Sequence, residues 1–222
     1  MVLGLVGGKV TVLLATPVRA ANLATAQVSL GYADFRLALA RLMPDYKALC
    51  GHVTFAADVV RGRNRIVATL LADPNFADVD NVLWVDDDNW PEDVRIVQRM
   101  IDARGDIVAV PYTNKKEPLR WVHRVDEDGS VLGVGFGFTM TSRHLLETLF
   151  DAAERYVDFP QGLQCANVFG QVFDRAPGDT RTLLSEDYSF CKRARDAGFS
   201  ITMIDGLIHH AGGAVYNALK HA

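Results

Sequence analysis

The chain has 222 residues, 49% of them hydrophobic and 23% charged, with a formal net charge of −4. That length suits one domain with a substantial core spanning residues 1–222, and the composition is ordinary for a soluble globular protein. The slight negative charge excludes a general basic field for nucleic acid, while leaving room for a local basic patch.

Cys50, Cys165 and Cys191 are widely spaced and form no CxxC pair. They indicate neither a disulfide framework nor a zinc site, and buried free thiols in a reducing compartment are the expectation. The apolar start is interrupted by Gly7, Gly8 and Lys9, and no small-residue cleavage site follows a charged segment. No apolar run approaches the length of a bilayer span. The expected compartment is therefore the cytoplasm.

Lys9 to Ala15 is β-branched and apolar and predicts a first strand, which Thr16-Pro17 stops by opening a loop. Gly7 and Gly8 precede that strand, whereas a dinucleotide fingerprint follows one. From Asn22 to about Leu42, the residues Leu23, Ala26, Leu30, Leu37 and Ala40 recur at helical spacing, with Gly31 as a break point and Pro44 as the end. Gly51 to Ala57 reads as a second strand. A helix from Val59 or Val60 then carries Ile66, Val67, Leu70 and Leu71 on one face. Arg61, Arg63, Asn64 and Arg65 crowd its first turns, where cations oppose the helix macrodipole. An anionic ligand accounts for them, and so do surface pairs with Asp58 and Asp73.

The run Val82-Leu83-Trp84-Val85 ends abruptly in Asp86-Asp87-Asp88. Four consecutive large apolar residues suit a strand buried on both faces of a parallel sheet. The acids then stand at its carboxyl end, where open α/β sheets bind ligands. Adjacent carboxylates repel one another, and a divalent cation is the simplest partner that relieves them. Asp oxygens suit Mg2+ or Mn2+, commonly shared with substrate phosphates. A solvated acidic turn ahead of a helix that starts at Pro91 is the alternative.

Glu92 to Ala103 predicts that helix, with Val94, Ile96, Val97, Met100 and Ile101 as its apolar set, and Asp106 to Tyr112 a further strand. The order β-α-β-α-β-α-β calls for an α/β fold with a largely parallel sheet flanked by helices. Trp121–Val125 and Val131–Val134 flank the hairpin turn Asp126-Glu127-Asp128-Gly129. Gly133, Gly135 and Gly137 read as the wall of a substrate site in preference to a packing contact. Thr141 to Ala153 is a helix capped by Thr141 or Ser142. Tyr156 to Arg181, with Pro160, Gly162, Gly170, Pro177 and Gly178 scattered through it, predicts an irregular acceptor-binding flap. Ser185-Glu186-Asp187 opens a helix that Gly198 ends, and two acids in its first turn are also what simple capping favours. After a strand at Phe199–Ile204 comes His209-His210, a pair placed to bind metal.

The Asp-x-Asp of Asp86 and Asp88, the Arg-x-Arg-Asn before it, Ser-Glu-Asp opening a late helix and His-x-Gly near the C-terminus jointly resemble the GT-A glycosyltransferases. The likeness is to the small family-2-like enzymes that use nucleotide-diphosphate sugars, and it covers the chain from Lys9 to Tyr216. It implies the GT-A fold and a Mn2+ or Mg2+ ion held by Asp86, Asp88 and His210, with His209 as the substitute for His210. Asp88 would make direct metal contact, while Asp86 would face the ribose or the metal shell. The resemblance places Thr16, Pro17 and Arg19 beside the nucleotide base, with Arg63 and Asn64 toward the nucleotide or its diphosphate. Asp87, the third acid inside the motif, is a departure from the commoner form and is grouped with the donor-binding residues. Asp187 aligns with the catalytic base, and Glu186 is the second choice.

The implied reaction carries a sugar from a nucleotide-diphosphate sugar, a UDP-sugar favoured, to an acceptor hydroxyl. Direct displacement with one carboxylate base inverts the anomeric centre. The acceptor is a glycan or a hydroxylated base in phage-type DNA. Lys115, Lys116, Arg120, His123 and Arg124 form a local basic cluster able to meet a phosphate backbone, to hold the diphosphate or simply to face solvent. A nucleotidyltransferase shares the sheet and the metal but wants a Gly-rich basic signature where Thr16-Pro17-Val18-Arg19 stands. A catalytically inactive nucleotide-sugar binding module is the third reading.

Overall fold

The computed structural model describes residues 10–19, 30–53, 59–114, 120–159, 162–175 and 181–210. Lys9, the predicted helical residues 22–29, the strand residues 54–57, Asp58, Lys115, Lys116, Pro160, Pro177, Gly178, Gly212 and Tyr216 lie outside them, as do the side chains of Arg19 and Cys50. The chain runs β1 (Val12–Arg19), α1 (Leu30–Leu42), β2 (Lys47–Val53), α2 (Val59–Ala72), β3 (Asn81–Val85), β4 (Asn89–Pro91), α3 (Ile96–Asp102) and β5 (Ile107–Ala109). It continues through β6 (His123–Val125), β7 (Val131–Val134), β8 (Phe138–Ser142), α4 (Arg143–Ala152), β9 (Arg155–Asp158), β10 (Leu163–Ala166), β11 (Phe173–Arg175), β12 (Arg181–Leu183), α5 (Glu186–Asp196), β13 (Ile201–Met203) and β14 (Ile208–His210).

The central sheet has the order β13-β5-β8-β3-β1-β2. Its pairs β2–β1, β1–β3 and β5–β13 are parallel, while β8 lies antiparallel between β5 and β3. The β6–β7 hairpin, with Gly129 at φ 85° in its turn, separates β5 from β8 and lets the chain return in the opposite direction. Side chains alternate along each strand with period two, so the sheet feeds two cores. Leu13, Ala15, Val82 and Trp84 meet α2, α4 and α5 through Ile66, Leu70, Leu146 and Phe190. Val12, Leu14, Leu83 and Val85 meet α1 and α3 through Phe35, Leu39, Val97 and Met100. β3 is thus covered on both faces, as its unbroken apolar run predicts.

Several elements differ from the pattern in the sequence. β1 does not stop at Thr16-Pro17 but runs on to Arg19 beside β2. β3 pairs with β1 only from Val12 to Ala15, so Pro17 sits where one side of the strand has no β3 neighbour, a position that tolerates a missing N–H. In α1 the buried residues are Tyr32, Phe35 and Leu39, while Leu30 and Leu37 are 84% and 61% exposed. Spacing alone does not choose between the two stripes; the Thr16–Tyr32 hydroxyl bond at 2.5 Å and the edge-on contact of Phe35 with Phe138 do. Pro91 lies in β4, paired with Ile208, and the helix that was expected to start there begins at Ile96. Within the segment read as an irregular flap, β9–β10 and β11–β12 form two antiparallel hairpins.

The glycine-rich stretch also departs from expectation. A Cβ on Gly133 would meet the Tyr188 ring at 2.6 Å, and one on Gly135 or Gly137 would meet the Tyr112 hydroxyl at 2.5 or 2.6 Å. These glycines admit aromatic side chains, so close packing accounts for the absence of a side chain at each. Ser142 caps α4 by accepting from Leu145 N. Cys165 and Cys191 are buried free thiols, and burial pushes Cys191 up to about 12. Among the described residues no helix is long and apolar enough to cross a membrane.

Gly137→Ala is expected to lower stability by about 1–3 kcal/mol, because the Tyr112 hydroxyl and the Asn89 amide leave no room for a methyl group. Urea denaturation checks this through a lower midpoint at unchanged slope.

Candidate functional site

Beyond β3 the chain makes a tight turn in which Asn89 N donates to the Asp86 carbonyl at 3.0 Å. Strand alternation carries Asp86 onto the Val82–Trp84 side of the sheet, the side that α2 covers. There Arg63 reaches it from α2, with Nη2 3.5 Å from Asp86 Oδ1. The turn then delivers Asp88 to the other partner, His210 on β14, whose Nε2 is 3.6 Å from Asp88 Oδ1. Asn89 Nδ2 donates to the same Asp88 oxygen at 3.1 Å. Asp87, between them, is buried.

His210 is oriented by a second contact. Its Nδ1 lies 3.1 Å from the Thr113 carbonyl, which can only accept, so Nδ1 carries a proton and Nε2 is the nitrogen turned toward Asp88. A histidine anchored in this way through its other nitrogen is the usual arrangement for a metal ligand. The Tyr112 ring packs edge-on to it at 5.6 Å. His209, one residue earlier, stacks on Trp90 with centroids 5.4 Å apart, and it is His210 that lies beside Asp88. Of Mn2+ and Mg2+, the carboxylate oxygen suits both, while the imidazole nitrogen favours the transition metal Mn2+. Among the described residues no group of three such ligands is assembled in advance. That fits hard dications, which commonly take one or two carboxylates and complete their shell with substrate phosphates and water.

The acids of α5 enter from the opposite wall. Ser185 caps the helix by accepting from Tyr188 N, and the first turn presents Glu186 and Asp187. Asp187 Oδ1 pairs with Arg63 Nη1, and Asp187 Oδ2 accepts from Phe136 N at 3.1 Å. Glu186 Oε1 lies 3.5 Å from the same Arg63 nitrogen. The Arg63 side chain is buried, with its Cζ 5.5 Å from the centroids of both Phe136 and Phe169. Burial alone would lower its pKa, but attraction to Asp187, Asp86 and Glu186 wins and holds the guanidinium firmly charged.

The Asp86 carboxyl is shifted upward. Enclosure by the surrounding walls raises it to about 7 against the opposing pull of Arg63, with repulsion from Asp187, Asp88 and Asp87 adding to the rise. Tyr112 accepts from Gly137 N at 2.9 Å, and burial, then the charges of Asp187 and Asp86, push its hydroxyl well above the ordinary value.

The structure therefore brings together Arg63, Asp86, Asp88, Glu186, Asp187 and His210. Other predicted residues lie apart. Asn64 is buried, and its amide is spent on Phe169 N at 3.0 Å and on Tyr156 Oη at 3.2 Å, which ties α2 to β9 and the chain after β10. Thr16 is buried and bonded to Tyr32, while Pro17 is part of β1. Arg61 and Arg65 pair within the fold, and Asp58, one partner expected for them, lies outside the described residues. Both hold the buried Asp158 of β9, Arg61 at 2.6 Å, and Asp73 instead caps the turn at Asn75. Tyr112, Thr113, Phe136 and Phe169 shape the site without any signal in the sequence, since their roles depend on which elements face each other. Asn89 was readable as the neighbour of Asp88.

Neither a protein-family model nor a curated protein matches the sequence. Solved structures do resemble the fold. A197 from STIV superposes with a TM-score of 0.52 at 17% identity, over 95% of this chain and 99% of that one. The catalytic domain of Drosophila beta1,4galactosyltransferase 7, in complex with xylobiose, gives a TM-score of 0.50 at 14% identity, over 88% of this chain and 65% of that one. The fold is GT-A-like. At these identities the likeness concerns architecture, and the chemistry has to be argued from the side chains.

An aspartate whose folded pKa is raised from 3.8 to about 7 costs stability as pH climbs through that interval, because the unfolded chain ionises first. The stability of Asp86→Asn relative to the wild type is expected to rise from about pH 4 to pH 7 and to level off above it, whatever the offset left by the lost Arg63 pair. Urea denaturation of both proteins across that range, without added metal, is the measurement.

Proposed function

We propose that this protein is a metal-dependent glycosyltransferase that moves a sugar from a nucleotide-diphosphate donor, a UDP-sugar favoured, to an acceptor hydroxyl. The observation that carries the reading is the pairing, on one GT-A-like sheet edge, of an Asp88–His210 donor set with the Asp86–Arg63–Asp187 bridge. Asp88 and His210 would hold a Mn2+ or Mg2+ ion, with Asp86 beside it. When bound, that ion supplies Lewis-acid stabilisation to the diphosphate as it leaves.

The protein's own groups account for the other half of the reaction. An acceptor hydroxyl has to lose its proton as it attacks the anomeric carbon, and Asp187 is the proposed base. Its two oxygens are aimed by Arg63 and by the Phe136 N–H, yet each keeps a further lone pair for a hydroxyl. Glu186, next to it and against the same guanidinium, is the second carboxylate within that region. With a single base and direct displacement, the anomeric configuration inverts. The acceptor is a glycan or a hydroxylated DNA base. The former is favoured because the formal net charge is −4 and, of the basic cluster, Arg124 already lies over the Tyr188 ring.

Asp88→Ala is expected to reduce sugar transfer at least 100-fold, and His210→Ala to weaken the Mn2+ concentration dependence by 10- to 100-fold. A screen of nucleotide sugars with and without Mn2+, scored by release of nucleoside diphosphate, tests both. Full activity in Asp88→Ala contradicts the proposal, and pyrophosphate release from a nucleoside triphosphate would replace it with nucleotidyl transfer.

A further inference from the structure

A buried arginine beside a diphosphate site invites the reading that it binds phosphate, but the surroundings of Arg63 argue otherwise. Its side chain is 2% exposed and runs between the rings of Phe136 and Phe169, themselves edge-to-face at 5.3 Å. One terminal nitrogen serves Asp187 and Glu186, and the other faces Asp86. Its Nε is buried without a hydrogen-bond partner, so the side chain is placed for its terminal fork alone. A phosphate reaching this guanidinium would have to displace a carboxylate or enter the aromatic sheath. Either step is costly in a site of low polarity.

We propose that Arg63 is a positioning residue that fastens the first turn of α5, which carries Asp187, to the acidic turn after β3, and that it makes no contact with the donor. The proposal takes the roles of Asp187 and Asp88 from the glycosyltransferase reading. Its geometric content, a single guanidinium that sets the spacing between two walls of the cleft, stands without it.

The physical logic is one of shared charge. Asp86, Glu186 and Asp187 come from two elements that are far apart in sequence and would repel one another across the cleft. One planar fork satisfies both sides at once, with Nη1 toward α5 and Nη2 toward β3. A lysine ammonium is a compact point charge on a flexible stem and does not reproduce that two-sided geometry. Loss of the fork would therefore shift the base relative to the donor without removing any donor contact, and misplacement by about 1 Å costs on the order of 100-fold in rate.

The test has two arms. In the first, urea denaturation of Arg63→Met, Asp187→Asn and the double variant measures coupling directly, with Arg63→Lys replacing Met if the latter does not fold. The double variant is expected to be less destabilised than the sum of the singles by at least 10-fold in the folding equilibrium constant, and additivity within about 2-fold overturns the tie. In the second, Arg63→Lys is assayed for transfer and titrated with UDP and Mn2+. The expected result is a fall in kcat of about 100-fold, with donor KM and UDP affinity changed by no more than about 3-fold. A rise of 10-fold or more in KM and in the UDP dissociation constant at retained kcat would mean direct phosphate contact and overturn the proposal. Absence of transfer by the wild type with every donor would count against the glycosyltransferase reading alone, since the coupling arm still decides whether Arg63 binds the two walls together.

Discussion

One guanidinium held in an apolar sheath sets the geometry on which the site depends. Asp86 ends β3, Glu186 and Asp187 open α5, and Arg63 comes from α2, so three elements separated along the chain converge on one charge. Removing a single partner from such a buried group is strongly destabilising, because it leaves an uncompensated charge in a medium that solvates it poorly. The arrangement is therefore all or none. The acids are tolerable because Arg63 is there, and Arg63 is tolerable because they are.

The same cluster gathers Asp86, Asp87, Asp88, Glu186 and Asp187, and its Asp86 carboxyl rises to about 7. Enclosure drives that rise, and the neighbouring acids add to it. A dication at Asp88 and His210 would relieve this frustration, and a diphosphate would then be drawn to the dication. In the proposed reaction, cofactor and donor together would reduce the repulsion among these acids. The anchoring of His210 through the Thr113 carbonyl matters for the same reason, since it presets the nitrogen that faces Asp88.

The sheet explains why these groups can meet. β3 is buried on both faces and central, flanked by β1 and β8, so its end is a fixed point. β8 runs antiparallel to β3 with Phe138 opposite Val85, which brings the Gly135–Gly137 backbone beside the acidic turn and leaves Phe136 N to address Asp187. Glycine at 135 and 137 is what lets Tyr112 slide underneath and support that backbone through the Gly137 N–H. The two arginines on either side of Arg63 belong to a separate structural bridge: Arg61 and Arg65 clamp Asp158 and hold the β9–β10 hairpin against α2. Helical spacing separates the roles, because residues two apart on a helix do not share a face.

Local pattern in the sequence was enough to determine the α/β class, the buried character of β3 and the β6–β7 hairpin, because periodicity and turn residues are properties of neighbours along the chain. The resemblance to GT-A enzymes named Asp86, Asp88, Asp187 and His210 together, and the fold brings them to one region. Which stripe of α1 is buried, whether Pro17 ends a strand, and that the glycines admit tyrosines were decided only by tertiary packing, since each depends on a partner tens of residues away. The same holds for Arg63. Its charge and its place in α2 are written in the sequence, but whether it faces a phosphate, the solvent or three carboxylates is a matter of what the fold lays across from it, and burial among Phe136 and Phe169 is what resolved the question toward the acids.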